Sequence, residues 1–432
     1  MRRLRFVLLT LAAILVLGFA AVGVLYLTRG TPVSRVIGVG ESGGVPAAGD
    51  TQFARTVALL TEVDLLEGNR VEVLVNGDET YPRLWADLRA AQRSITLQFY
   101  YAQPGAVADS LAAIVSERAR AGVRVLFLRD AFGSQNLTDE YFARLREAGV
   151  VVASFRPLRW WSLDTFSHRS HIRVVVVDGS VAYTGGFGLD DKWLGGGRTE
   201  NEWRDSNVRF TGPAVMQLQA TFFAGWAEAT GALVMGDLFF PPEGFRSDGT
   251  QYAGLLHAAP TIGSTSAERF LALSIAAARE RLYISNSYFV PDDDFRRLLV
   301  DAAQRGVDVR ILTTSDQTDI KTTWYAGRAR YEELLEGGVR IYEYQPTMMH
   351  AKTLVADGVW SSIGTLNFDN RSLAFNDESN LLVLDAAIGA QMERIFMEDL
   401  RYSAEIELET FRRRPWREKL WERSANLLSR VL

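Results

Sequence analysis

His171–Gly186 reads HIRVVVVDGSVAYTGG, and His350–Gly364 reads HAKTLVADGVWSSIG. Each stretch gives a His, a cation two residues on, an Asp five residues after that, and a glycine turn. A strand alternates its faces with period 2, so His171 and Arg173 share one face, as do His350 and Lys352. Asp178 and Asp357 fall at the odd offset and at the strand's far end, where they read as turn-fixing structural carboxylates rather than groups that touch substrate. Two imidazoles and two fixed cations brought together make a site for a phosphate. One ring would attack and the other donate a proton.

Working outward from these stretches, the chain repeats itself. AQRSITLQFYY (Ala91 to Tyr101) corresponds to ARERLYISNSYF (Ala278 to Phe289), and RAGVRVLFL (Arg120 to Leu128) to QRGVDVRIL (Gln304 to Leu312). REAGVVVASF (Arg146 to Phe155) corresponds to LEGGVRIYEY (Leu335 to Tyr344), and the His stretches come next. One roughly constant offset runs through all of them, which marks duplication of a whole domain rather than a short solenoid period. Within each copy, strands alternate with helices that end on glycines such as Gly122, Gly149, Gly306 and Gly338. That predicts two α/β halves with a mainly parallel sheet in each. Val174-Val175-Val176-Val177 predicts a strand buried on both faces.

At 432 residues and 47% hydrophobic content the chain can bury a large core. A net charge of −5 gives no global basic field to draw in nucleic acid. The absence of cysteine excludes disulfides, thiolate metal sites and cysteine nucleophiles. No ligand cluster with metal spacing is present, so neither a metal nor any other cofactor is expected. Of the four histidines, His168 and His257 read as loop or surface residues. Asn76-Gly77 reads first as a turn.

The start, MRRLR, is basic, and Phe6 to Leu27 is apolar or small throughout. This predicts a cytoplasmic N-terminus (1–5) and a transmembrane helix over 6–27, with the catalytic region outside the cytoplasmic membrane. The rival reading is a cleaved signal peptide at the small-x-small pair Ala21 and Gly23. Residues 28–66 read as linker, 67–232 as the first half, 233–260 as a connecting segment and 261–405 as the second half. The tail, 406–432, carries Trp416, Leu420, Trp421, Leu427, Leu428 and Val431 on helical spacing among many arginines. It reads either as a helix docked on its own domain or as a basic amphipathic segment on anionic lipid. The loop Arg159-Trp160-Trp161-Ser162-Leu163 reads as a packed loop or as an interfacial wedge.

With both copies of H-x-[KR]-x4-D in hand, the sequence resembles the phospholipase D superfamily and, most closely, bacterial cardiolipin synthases. NEWRDSNVRFTGPAVMQLQATFFAGW, SYFVPDDDFRRLLVDAAQRGVDVRIL and MMHAKTLVADGVWSSIGTLNFDNRS are similar to segments of those enzymes, and the likeness runs from about Val71 to the end. The resemblance implies two duplicated phospholipase D-like α/β sandwich halves packed around a shared active site. It implies a metal-free, two-step phosphatidyl transfer on phospholipid, with phosphatidylglycerol as substrate and no nucleic acid or protein partner. His171 would be the nucleophile and His350 the acid/base, each ring oriented by a carboxylate further along, by position Asp205 and Glu378. Thr365 and Asn367, with Arg173 and Lys352, would bind phosphate oxygens. Two departures stand in the first copy: Arg173 where Lys is the rule, and Gly188 where the second copy has Asn367. The superfamily also contains hydrolases and nucleases, and a weakened first copy would leave a lipid-binding protein.

Overall fold

The computed structural model describes residues 2–27, 33–39, 44–157, 169–260 and 264–429. The Arg159–Leu163 loop, His168 and Val431 lie outside them. The first half supplies strands β1 (Leu66–Val75), β2 (Ser94–Phe99), β3 (Arg124–Asp130), β4 (Val151–Phe155), β5 (Val174–Val177), β6 (Val181–Gly185) and β7 (Ser206–Thr211). The second supplies β8 (Gln251–Ala258), β9 (Arg281–Asn286), β10 (Asp308–Thr314), β11 (Arg340–Tyr344), β12 (Lys352–Ala356), β13 (Trp360–Gly364), β14 (Glu378–Leu384) and β15 (Ser403–Glu405). These strands form one sheet in the order β15-β11-β10-β9-β12-β13-β14-β8-β1-β7-β6-β5-β2-β3-β4. Setting β15 aside, the order is a palindrome about the β8–β1 pair, each strand mirrored by its repeat.

The mainly parallel sheet expected from the alternating pattern is not what forms. Only β2-β3-β4 and β9-β10-β11 run parallel; the remaining pairs in each half are antiparallel. The reason is local. Asp178-Gly179 and Asp357-Gly358 all take positive φ, and each pair makes a tight turn closed by Ser180 N–H to Val177 O (3.0 Å) or Val359 N–H to Ala356 O (3.2 Å). Such primed turns join antiparallel neighbours, whereas parallel strands need a long crossover.

Each motif Asp also pins its turn to the next strand. The Asp178 carboxylate accepts from the backbone N–H of Gln92 (2.9 Å), Arg93 (2.8 Å) and Ser94 (2.9 Å). Asp357 accepts in the same way from Arg279 (2.9 Å), Glu280 (2.8 Å) and Arg281 (2.9 Å).

Three cores stack across the fold. Val175 and Val177 of β5 face a core shared with the helices of the first half, where Leu97, Leu111 and Phe142 lie. Val174 and Val176 face a middle core that also contains Val355, Ile363 and Leu381 of the second half. Both faces of β5 are therefore buried, and the two halves meet through a common apolar layer. The third core lies between the second half's sheet and its helices.

Three stretches outside the two expected halves also carry regular structure. Within the linker expected over 28–66, Thr51–Thr61 is a helix capped by Asp50, whose Oδ1 accepts from Gln52 N–H (2.8 Å). Its Phe53 and Val57 share a helical face and enter the second half's core, with Phe53 edge-on to Trp360. The connecting segment 233–260 contains β8, which pairs with β14 and β1. The tail contains the helix Trp416–Asn426, docked through Ala425 onto Val290 and Ala326 and through the buried Glu422 carboxylate to Arg328 (3.5 Å).

The membrane crossing expected over 6–27 is overturned. Arg2–Leu27 forms one helix, but among the described residues no helix is long and apolar enough to cross a membrane. A single-pass topology with the catalytic region outside the membrane is set aside with it.

Removing the turn carboxylate tests its structural part. Asp178→Ala should lower the free energy of urea unfolding by roughly 2 kcal/mol, since three backbone donors lose a charged acceptor. Asp178→Asn, which keeps one acceptor oxygen and tolerates positive φ, should cost less.

Candidate active site

His171 and His350 sit just ahead of β5 and β12, at the seam between the halves. The strand entering each ring is tied across that seam. His171 N–H donates to Asp377 O (2.9 Å) and His350 N–H to Arg204 O (2.7 Å). Those partners directly precede the two carboxylates, so the carboxylates cross as well. His171 Nδ1 lies 2.9 Å from Glu378 Oε2, and His350 Nδ1 lies 2.7 Å from Asp205 Oδ2. Each ring is thus held by an acid from the opposite half, not by the one that follows it in its own copy. With both Nδ1 atoms engaged, Nε2 of each ring is the nitrogen left for chemistry.

The two motif cations brace the same backbone. Arg173 Nη1 donates to His171 O (2.6 Å) and its Nε to Phe187 O (3.3 Å). Lys352 Nζ donates to His350 O and to Ser287 Oγ (2.7 Å). All four groups are buried, and the electrostatics follow. Burial, then the Arg173 and Lys352 charges, holds the His171 ring well below the ordinary imidazole range. His350 is lowered in the same way by burial, Lys352 and Arg173. Burial brings Lys352 down to about 7 and Glu378 up to about 7, and raises Asp205. An anion brought between the rings would favour their charged forms and those of the cations.

The phosphate-binding part expected of Thr365 does not match its surroundings. Its Oγ1 donates to Glu378 Oε2 (2.5 Å) and accepts from Ser379 N–H (2.9 Å), so the hydroxyl is a strut for the acid. Asn367 is buried, and its Oδ1 has no hydrogen-bond partner among the described residues. Asn76 is more than a turn: its Oδ1 accepts from Asp205 N–H (3.0 Å) and its Nδ2 donates to Gly196 O (2.6 Å). His257, expected in a loop or at the surface, lies on strand β8 opposite Ser379 in the ladder.

The residue that sequence reading missed is Trp193. Counting from the motif histidines, Gly186 and Gly188 occupy the places of Thr365 and Asn367. A side chain at 186 would run into the Asp205 carboxylate, and one at 188 into the Trp193 ring (2.8 Å). The indole fills that space and donates from Nε1 to Asp205 Oδ2 (2.8 Å), the strut that Thr365 supplies to Glu378. It also lies edge-on to His350, with Trp203 on the ring as well (4.8 Å). A second exchange accompanies the first: Tyr100 stands where β9 leads into Ser287, and its ring meets His171 edge-on (5.1 Å) and Arg173 (5.9 Å). The signal in the sequence was the joint loss of side chains at 186 and 188, with Asp191-Lys192-Trp193 following.

Comparison with known proteins follows the same lines. A family model described as "Cardiolipin synthase, PLD-like domain" matches residues 271–400. A cardiolipin synthase from Geobacillus kaustophilus (strain HTA426) is 35% identical over 365 residues, covering 84% of this chain and 72% of that one. Cardiolipin synthase 2 from Bacillus anthracis is 33% identical over 360 residues, covering 83% of this chain and 70% of that one. Phosphatidylserine synthase from Haemophilus influenzae Rd KW20 shares the fold, with a TM-score of 0.68 at 14% identity over 88% of this chain and 100% of that one. The chain belongs to the cardiolipin synthase family of the phospholipase D superfamily. It is an enzyme of that superfamily.

Two measurements bear on the site. Because burial raises the folded Glu378 carboxyl from 4.5 to about 7, wild type should lose stability relative to Glu378→Gln as pH rises through that window. Urea unfolding at several pH values reads the difference. Trp193→Phe keeps the ring but removes the donor to Asp205. Its kcat should fall about tenfold with KM little changed, which steady-state kinetics would check.

Proposed function

We propose that this enzyme joins two phosphatidylglycerol molecules into cardiolipin and releases glycerol, by way of a phosphohistidine. The proposal takes 67–232 and 261–405 as the two halves, with His171 as nucleophile. The single observation that carries it is the crossed arrangement, in which each Nδ1 is bound by a carboxylate and each ring has a buried cation behind it. Cardiolipin synthases at more than 30% identity support the choice of lipid.

In the first step Nε2 of His171 attacks the phosphorus, and the P–O bond to the terminal glycerol breaks. His350 gives that oxygen its proton, so glycerol leaves neutral. Arg173, Lys352 and the Asn367 amide face the non-bridging oxygens, where negative charge builds up. In the second step His350 takes the proton from the hydroxyl of a second phosphatidylglycerol. That oxygen attacks phosphorus and frees His171. Glu378 and Asp205 hold each ring in one tautomer and stabilise its charged form. A neutral resting His171, which the burial and the two cations favour, suits attack, while His350 takes up a proton from solvent as the substrate binds, the substrate's own negative charge offsetting the cost of that protonation.

Purified protein supplied with phosphatidylglycerol should form cardiolipin and glycerol, read by lipid mass spectrometry. His350→Ala should lower the rate by about a thousandfold. Rapid quenching with labelled donor should place phosphate on His171; label on His350 would exchange the two parts. Phosphatidic acid as the sole product, with no transfer to added alcohols, would make the enzyme a hydrolase instead.

A further inference from the structure

The C-terminal helix docks on its own half, yet only one side of it is used. Glu422 and Ala425 face the protein. At about 100° per residue, Trp416, Leu420 and Leu427 fall within about 40° of one another on the opposite side. They are 69%, 55% and 85% exposed. Arg417 and Arg423 flank this stripe and are exposed. Among the described residues neither has an ion-pair partner, whereas Arg412 and Arg414 are paired with Glu332 and Glu422. The acids of this helix lie elsewhere, with Glu418 and Glu422 turned toward Arg328. The outward side is therefore apolar along its middle and positive along its edges.

Its position ties it to the chemistry. The helix rests on Lys321–Arg328, where Tyr325 stacks on Trp421. That supporting helix starts two residues after Asp319, which accepts from Tyr288 (2.7 Å), and the intervening Ile320 is exposed. Asp319 is close enough to Lys352 to act on its charge. The outward stripe thus belongs to the same wall of the second half as the cation behind His350.

We infer that the Trp416–Leu427 side is a peripheral docking surface for an anionic phospholipid bilayer. Tryptophan and leucine enter the boundary between headgroups and acyl chains while arginines pair with lipid phosphates. A protein groove would match the apolar stripe, but it gives the unpaired arginines on both edges no counterpart; a negatively charged, laterally continuous surface does. The inference is independent of which reaction the site performs.

The lack of cysteine makes a direct test possible in the full chain. Leu420→Cys carries an environment-sensitive dye, and Leu59→Cys, at another exposed position, carries the same dye as a reference. Added phosphatidylglycerol vesicles should blue-shift the dye at 420 and shield it from iodide, and leave the dye at 59 unchanged. Arg417→Gln with Arg423→Gln in the labelled protein should raise the lipid needed for half the response about twenty-five-fold at low salt. One basic side chain at an anionic surface contributes roughly fivefold. Equal responses at 420 and 59, or no response at 420 with vesicles that bind the protein or fail to, would overturn the inference. So would a change at 420 that follows protein concentration without lipid, which would assign the stripe to a second copy.

Discussion

Everything in the site hangs on two hydrogen bonds that cross between the halves, His171 to Glu378 and His350 to Asp205. A buried carboxylate or imidazolium alone would be costly, and each is tolerated because its partner is also buried and oriented. The carboxylates arrive together with backbone bonds from Asp377 and Arg204 to the rings' own strands. Position and charge are therefore fixed by the same few residues. Arg204 extends the tie outward through a bidentate, fully buried pair with Asp399 of the second half (2.8 and 2.6 Å). On the other side Asp377 meets Arg156 of the first half (2.6 Å). The apolar layer shared by the two halves supplies the area, and these pairs set the register.

The repeat is close in backbone and unequal in side chains. The second half braces its own acid, Glu378, with a threonine and rests its lysine on a serine. The first half brings an indole to its acid and an arginine against a tyrosine. These changes compensate one another. The glycines at 186 and 188 leave room that Trp193 fills, and its N–H restores the donor that the missing hydroxyl would have given. The first copy is thus rebuilt around different atoms, and Arg173 keeps the backbone contact that Lys352 makes in the second.

Much of this was legible in the chain. Spacing alone put His171 with Arg173 and His350 with Lys352, and placed Asp178 and Asp357 at the turns. The run of four valines announced a strand covered on both faces. What spacing could not give was which acid meets which ring, because two copies of one pattern permit a straight or a crossed pairing equally. Sheet direction was missed because helix–strand alternation hid the two Asp-Gly turns, which are local and decisive. Thr365 was assigned to phosphate by likeness, while its hydroxyl is engaged by Glu378 and Ser379. Ser372 stands at the position matching Trp193 and also hydrogen-bonds its acid, Glu378, but it differs so much in size and type that a comparison of repeats passed over the indole.

The crossed pairing has a consequence for how the two copies are free to vary. In a symmetric pair of identical subunits, every change at one site is made at both, so a glycine at 186 would remove the strut from each acid at once. Covalent fusion lifts that restriction. A single polypeptide can hold an indole on one side of the axis and a hydroxyl on the other, and so assign its two rings unequal tasks without a second gene.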